Sequence, residues 1–126
     1  MIKVRKHMVQ SYISAYNNFN IDGMEENLDA HILFENYTNG HLTHVANGMK
    51  EFRSMAVAGS EFFISRLQTV MCWEISENNI VVDIKCRGIA KVNLQNRINA
   101  GEKIEMDGKS AFTFHQNKII KIVDKS

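Results

Sequence analysis

The chain has 126 residues, 44% of them hydrophobic and 23% charged, which suits one domain, 1–126, whose core needs no disulfide staples. A net charge of +1 leaves no electrostatic footprint for nucleic acid or an acidic membrane surface, and no stretch reaches the length of an apolar membrane span. Cys72 and Cys86 lack CxxC spacing and predict reduced thiols in a cytoplasmic protein; MIKVRKHMVQSY holds no apolar run of signal-peptide length.

Lys3, Arg5, Lys6 and His7 read as a solvated terminal tail. Helical spacing then runs from Met8 to Phe19, with Val9, Tyr12, Ile13 and Tyr16 on one stripe. Asparagines 17, 18 and 20 end it. Asp22 with Glu25 forms a capping-box pattern for a short second helix with an apolar edge of Met24 and Leu28. Asp29-Ala30-His31 reads as a connection. Ile32 to Tyr37 alternates as a strand, with Ile32, Phe34 and Asn36 on one face, and Thr38-Asn39-Gly40 turns the chain. A polar loop is expected through Asn47, which can cap a third helix, Met49 to Ala58. Its inward face is Met49, Phe52 and Ala56, with Gly59 as a left-handed C-terminal cap.

A two-residue turn at Asn78-Asn79 would set Ile75 opposite Val82, Trp73 opposite Ile84 and Met71 opposite Cys86 on one face. Glu74 with Asp83 and Cys72 with Lys85 then lie on the other, which separates the two cysteines. After the loop NLQNRINAG, Asp107-Gly108 reads as a bulge within one long strand, and Gln116-Asn117 as a tight turn. Phe112 and Phe114 occupy one face and Ala111 the other, with Ile119, Ile120, Ile122 and Val123 across the turn. A sheet apolar on both faces must be covered twice, by helices and by a second copy of the chain. The expectation is a homodimer through the back of the sheet.

This order of elements is that of an α+β domain with its helices on one side of a mostly antiparallel sheet. The segments MVQSYISAYNNFNIDGMEENLDAHILFENYTNG and NAGEKIEMDGKSAFTFHQNKIIKIVD resemble the opening and closing parts of the nuclear transport factor 2-like superfamily. That superfamily includes SnoaL-like polyketide cyclases and ketosteroid isomerases. The resemblance spans nearly the whole chain. It implies a cone-shaped, cystatin-like fold in which a strongly curved sheet wraps around about three N-terminal helices, with a pocket at the open end. It also implies frequent dimers.

In the same resemblance, Tyr12 falls where ketosteroid isomerases carry a helix tyrosine that donates to an oxyanion. Asn36 and Ser110 fall where those enzymes carry carboxylates. An amide cannot abstract a proton, so ketosteroid isomerase activity itself is not expected. Two readings stand side by side. One is a pocket for a hydrophobic carbonyl compound, with cofactor-free isomerase, cyclase or dehydratase chemistry. The other is a non-catalytic ligand carrier or protein-interaction module. An open cavity of at least ~300 Å³ reaching Tyr12 would favour the first. The ligand-lining candidates are Tyr12, Tyr16, Asn36, Phe52, Met71, Trp73, Cys86, Ser110 and Phe112. Tyr12 and His31 are the catalytic candidates, with His31 as the base. His41 and His44 form H-x-x-H in a loop that does not fix ligand geometry, so no metal and no cofactor are expected.

Overall fold

Helical periodicity at the N-terminus and again from Gly48, with strand alternation elsewhere, divides the chain much as the sequence suggests. The computed structural model describes residues 2–94 and 98–126, so positions 95–97 of the NLQNRINAG loop lie outside the described residues. The elements are α1 (Ile2–Asn17), α2 (Ile21–Glu25), β1 (Leu28–Thr38), β2 (His41–Asn47), α3 (Gly48–Ser60), β3 (Phe63–Ile75), β4 (Asn79–Ala90), β5 (Lys103–His115) and β6 (Lys118–Lys125). The class is α+β. One open six-stranded sheet runs β2-β1-β6-β5-β4-β3, antiparallel except for the β1–β6 pair.

The stripe on α1 is buried as expected: Val9, Tyr12 and Ile13 pack with Phe52 of α3 against Ile32, Phe34, Ile80, Val82, Phe112, Ile119 and Ile122 of the sheet. Burying each large apolar side chain contributes about 1.5–3 kcal/mol, so this layer fixes the helices to one face. The opposite face carries charges paired across strands, with Lys109 to Asp83 at 3.4 Å and Lys85 to Glu105 at 3.6 Å.

Several local expectations change. The basic N-terminus is helical rather than a tail. Arg5 Nη1 donates to the Glu77 carbonyl at 2.7 Å and Nη2 to the Gln116 carbonyl at 3.0 Å, so one side chain ties two hairpin turns to α1. Asn20, not Asp22, caps α2 by accepting from the Gly23 N–H at 3.0 Å, and Asp22 and Glu25 instead pair with Arg53. Residues 29–31 belong to β1, and the polar segment from His41 is strand β2: pairing with β1 supplies the backbone partners that a polar sequence does not advertise. Asn47 precedes α3 without a side-chain cap; its N–H donates to Glu51 Oε1 at 2.9 Å. The helix passes through Gly59 to Ser60, and no left-handed glycine ends it. Strand β5 pairs with β4 without a register shift, so Asp107-Gly108 is not a bulge.

The β3–β4 register also differs, and this difference builds the site. Glu77-Asn78, rather than Asn78-Asn79, lies at the turn, so Ile75 pairs with Ile80 and Trp73 with Val82. A slide of two residues keeps every side chain on its face, and Trp73 still packs on the core. A bulge between Val70 and Cys72 then adds one residue to β3 and reverses the faces beyond it. Met71 turns out to solvent at 64% exposure. Val70, Gln68 and Arg66 point inward opposite Ile84, Cys86 and Gly88. Glu74 faces Val81, not Asp83, which removes the like-charge pair.

Candidate functional site

A cleft of about 180 Å³ opens where the inner face of the sheet runs past the C-terminal end of α1. Its lining includes Tyr16 from α1, Asn36 from β1, Arg66 and Gln68 from β3, Ile84 and Cys86 from β4, Met106 and Ser110 from β5, and Asp124 from β6. The sheet register accounts for this convergence: Asn36 pairs with Asp124, Asp124 with Ser110, and Ser110 with Val82, so three polar side chains stand in one row across β1, β6 and β5.

Asp124 is the carboxylate of the cleft. Ser110 Oγ donates to its Oδ1 at 2.6 Å. Burial of the carboxyl group, only partly offset by that donor, pushes its pKa up to about 6. A carboxylate with that proton affinity is poised to exchange a proton near neutral pH. Its negative charge adds to burial in raising the pKa of Tyr12, Tyr16 and Cys86. Both phenols therefore stay protonated and can only donate or accept as O–H groups. The Cys86 thiol stays protonated too.

Arg66 stands elsewhere in the cleft. It is 7% exposed, its Nε donates to the Tyr16 carbonyl at 2.7 Å, and its guanidinium lies over the rings of Tyr16 (3.7 Å to the centroid) and Phe19 (4.5 Å). Gly88 makes room beside it: a Cβ there would sit 2.8 Å from the Ser65 carbonyl. The end of α1 is stitched to the same strand, Gln68 N–H donating to Asn17 Oδ1 at 2.7 Å.

The sequence candidates divide into three groups. Tyr16, Asn36, Cys86 and Ser110 line the cleft. Tyr12, Phe52 and Phe112 do not. They form a buried aromatic cluster, with the Tyr12 ring 5.5 Å from that of Phe112 and 6.4 Å from that of Phe52. Trp73 packs against the core beside Lys6, whose ammonium lies 4.8 Å from the ring. The remaining candidates face away. Met71 is displaced by the bulge. His31 is exposed, because the alternation that sends Ile32 and Phe34 inward sends position 31 out. Asn36 has its Nδ2 committed to Thr43 Oγ1 at 2.8 Å. His41 and His44 lie exposed on β2, and no cluster of three metal-ligating side chains occurs among the described residues.

Asp124 and Arg66 escaped the sequence reading for the same reason. A bulge at Ile120 pairs Thr113 with Lys121 instead of Ile120. Counted straight back from Gln116-Asn117, Asp124 would face Lys109 on the outer side; the extra residue turns it inward to Ser110. The available signal was the pattern Ile119, Ile120, Ile122 and Val123, two adjacent apolar pairs around Lys121 that strict alternation does not allow.

No protein-family model and no curated protein sequence matches the chain. Solved structures do. A proposed polyketide cyclase from Xanthomonas campestris pv. campestris superposes with a TM-score of 0.83 at 12% identity, covering 98% of this chain and 90% of that one. A proposed SnoaL-like polyketide cyclase from Jannaschia sp. CCS1 gives 0.80 at 14% identity, covering 97% and 84%. A protein with a ketosteroid isomerase-like fold from Catenulispora acidiphila, in complex with trimethylamine, gives 0.76 at 9% identity, covering 93% and 82%. Such identities show a shared fold alone.

Proposed function

We propose, on the premise that this chain has the nuclear transport factor 2-like fold of the SnoaL-like and ketosteroid isomerase-like structures, that its cleft carries out cofactor-free acid–base chemistry on a compact carbonyl compound. Asp124 is the general base. The observation that carries this reading is a desolvated carboxyl, held by one donor, with a pKa of about 6 in a cleft whose lining mixes apolar side chains such as Ile84, Ile104 and Met106 with the cations Arg66, Arg87, Lys109 and Lys125. Ionised Asp124 takes a proton from the carbon next to the carbonyl, and the electron pair moves onto the carbonyl oxygen. Returned to another carbon, the proton completes an isomerisation; given to the alkoxide formed when the carbanion adds to a second carbonyl, a cyclisation; given to a β-hydroxyl that leaves as water, a dehydration. Tyr16 lines the cleft and stays protonated, which supports a role for its O–H as donor to the developing oxyanion. Ser110 is committed to Asp124 and acts as a positioning residue, whereas Asn36 is committed to Thr43.

The test is proton–deuterium exchange next to the carbonyl of cyclohexenone, followed by NMR in D2O. The protein should accelerate exchange, and Asp124→Asn should remove roughly 10²–10⁴ of that acceleration. Equal rates for the two proteins would refute the base. A second reading, a non-catalytic binding module, is favoured by the size of the cleft, which falls below the ~300 Å³ of common ligand pockets and does not reach Tyr12. A ligand retained in native mass spectrometry, with no exchange activity, would establish it.

Two further expectations belong to this proposal. Half-buried Val81, Ala111 and Val123 are neighbours on the outer face of the sheet and support pairing with a second copy there. Both cysteines are free, which suits the reducing cytoplasm.

A further inference from the structure

Arg66 is a buried cation whose protein partners do not satisfy it. Its Nε is bonded to the Tyr16 carbonyl, and its guanidinium packs over the rings of Tyr16 and Phe19. Its Nη2 is buried and has no acceptor in hydrogen-bond geometry; the nearby Tyr16 hydroxyl interacts with the guanidinium but carries no charge to balance it. Among the described residues no carboxylate forms an ion pair with it. Asp124 is not its counter-ion: an adjacent guanidinium would hold that carboxyl below the usual range, whereas burial raises it. Supporting the last turn of α1 accounts for Nε and for the stacking, but not for a second donor left unpaired beside a cleft. A buried guanidinium is costly unless its charge and its donors are met.

We propose that Arg66 is the anchor for a carboxylate on the ligand, so that the cleft takes a compact carbonyl compound bearing a carboxylate, with about the bulk of one six-membered ring. This rests on the reading of the cleft as a small-molecule site and specifies its substrate class. The guanidinium fork matches a carboxylate, and the ring stacking spares it the ordering cost of a free arginine. The size comes from the cleft: a cavity of about 150 Å³ is known to hold benzene, and this one is about 180 Å³. The anchor and the base come from different strands, β3 and β6, and both line the same cleft. The bulge at Met71 is what turns Arg66 to this side of the sheet.

The experiment compares benzoate with its neutral isostere benzamide by calorimetry and by NMR shift mapping. The protein should bind benzoate at least roughly tenfold more tightly, with shifts centred on β3 and the end of α1. Arg66→Gln should abolish the preference and Arg66→Lys should keep part of it. The comparison on the unaltered protein needs no variant, so a poorly folding Arg66→Gln leaves the test intact. Equal binding of the two probes overturns the anchor, as does no benzoate binding at millimolar concentration or a preference unchanged in Arg66→Gln. Asp124→Asn separates the two ideas, because it should retain benzoate binding while losing proton exchange. Exchange without benzoate preference refutes the anchor alone, and benzoate preference without exchange refutes the base alone.

Discussion

Replacing Asp124 with asparagine removes a charge while keeping an oxygen to accept from Ser110, so it isolates the cost of ionising this carboxyl in the cleft. The folded chain holds the proton with a pKa of about 6, against about 3.9 for an unfolded aspartate. Because the folded value is the higher one, the stabilisation it contributes is complete below about pH 4 and is lost as pH rises through 6. At 1.36 kcal/mol for each pH unit the gap is worth nearly 3 kcal/mol at pH 7; the residue is only half-buried, so about 2–3 kcal/mol is the working figure. Asp124→Asn should therefore match the parent near pH 4 and exceed it by that amount at pH 7, a rise in Tm of roughly 10 °C. Urea denaturation of both proteins from pH 4 to pH 8 measures it. A stability difference that stays flat across this range would refute the assignment of a desolvated carboxyl, and a variant less stable at pH 7 would show that Asp124 is structurally required in its ionised form. A group that destabilises the fold at neutral pH is what a site selected for chemistry looks like.

Ser110→Ala removes the donor that offsets burial, and should raise the Asp124 pKa by about one further unit, read from the carboxyl carbon in an NMR titration. Gly88→Ala should destabilise by about 1–3 kcal/mol in denaturant, because the new Cβ meets the Ser65 carbonyl at 2.8 Å and a ring carbon of Phe63 at 3.3 Å; an unchanged midpoint would mean that β3 and β4 separate easily there. Light scattering at micromolar concentration should give a dimer, twice the chain mass of 14.4 kDa, and a monomer would remove the outer face of the sheet as an interface.

The stripe Val9, Tyr12, Ile13 and Tyr16 was legible because a helix repeats its inward face every three to four residues whatever lies beyond it, and all four pack where that spacing sends them. The inward face of α3 and the alternation of Ile32, Phe34 and Asn36 were legible for the same reason. Strand β2 was not, because its segment from His41 to Val45 is exposed and gains its structure only from the backbone of β1. Within the site, Tyr16, Asn36, Cys86 and Ser110 were foreseen at the cleft, but neither Asp124 nor Arg66 was. Tyr12, the residue singled out first, lies instead among phenylalanines, because Phe52 and Phe112 close over its ring.

The sequence by itself determined the class and the order of every element except β2, since amphipathic period and turn chemistry are local properties of the chain. Where the resemblance puts the carboxylates of ketosteroid isomerases the sequence has Asn36 and Ser110, which is why that activity was not expected. Only the tertiary structure decided where charge enters the cleft. One extra residue at Met71 and another at Ile120 each reverse the facing of the strand beyond them, bringing Arg66 and Asp124 to the inner side. A bulge is set by the twist and by the partner strand rather than by the residue that bulges, and with a side-chain period of two a single insertion exchanges core for solvent.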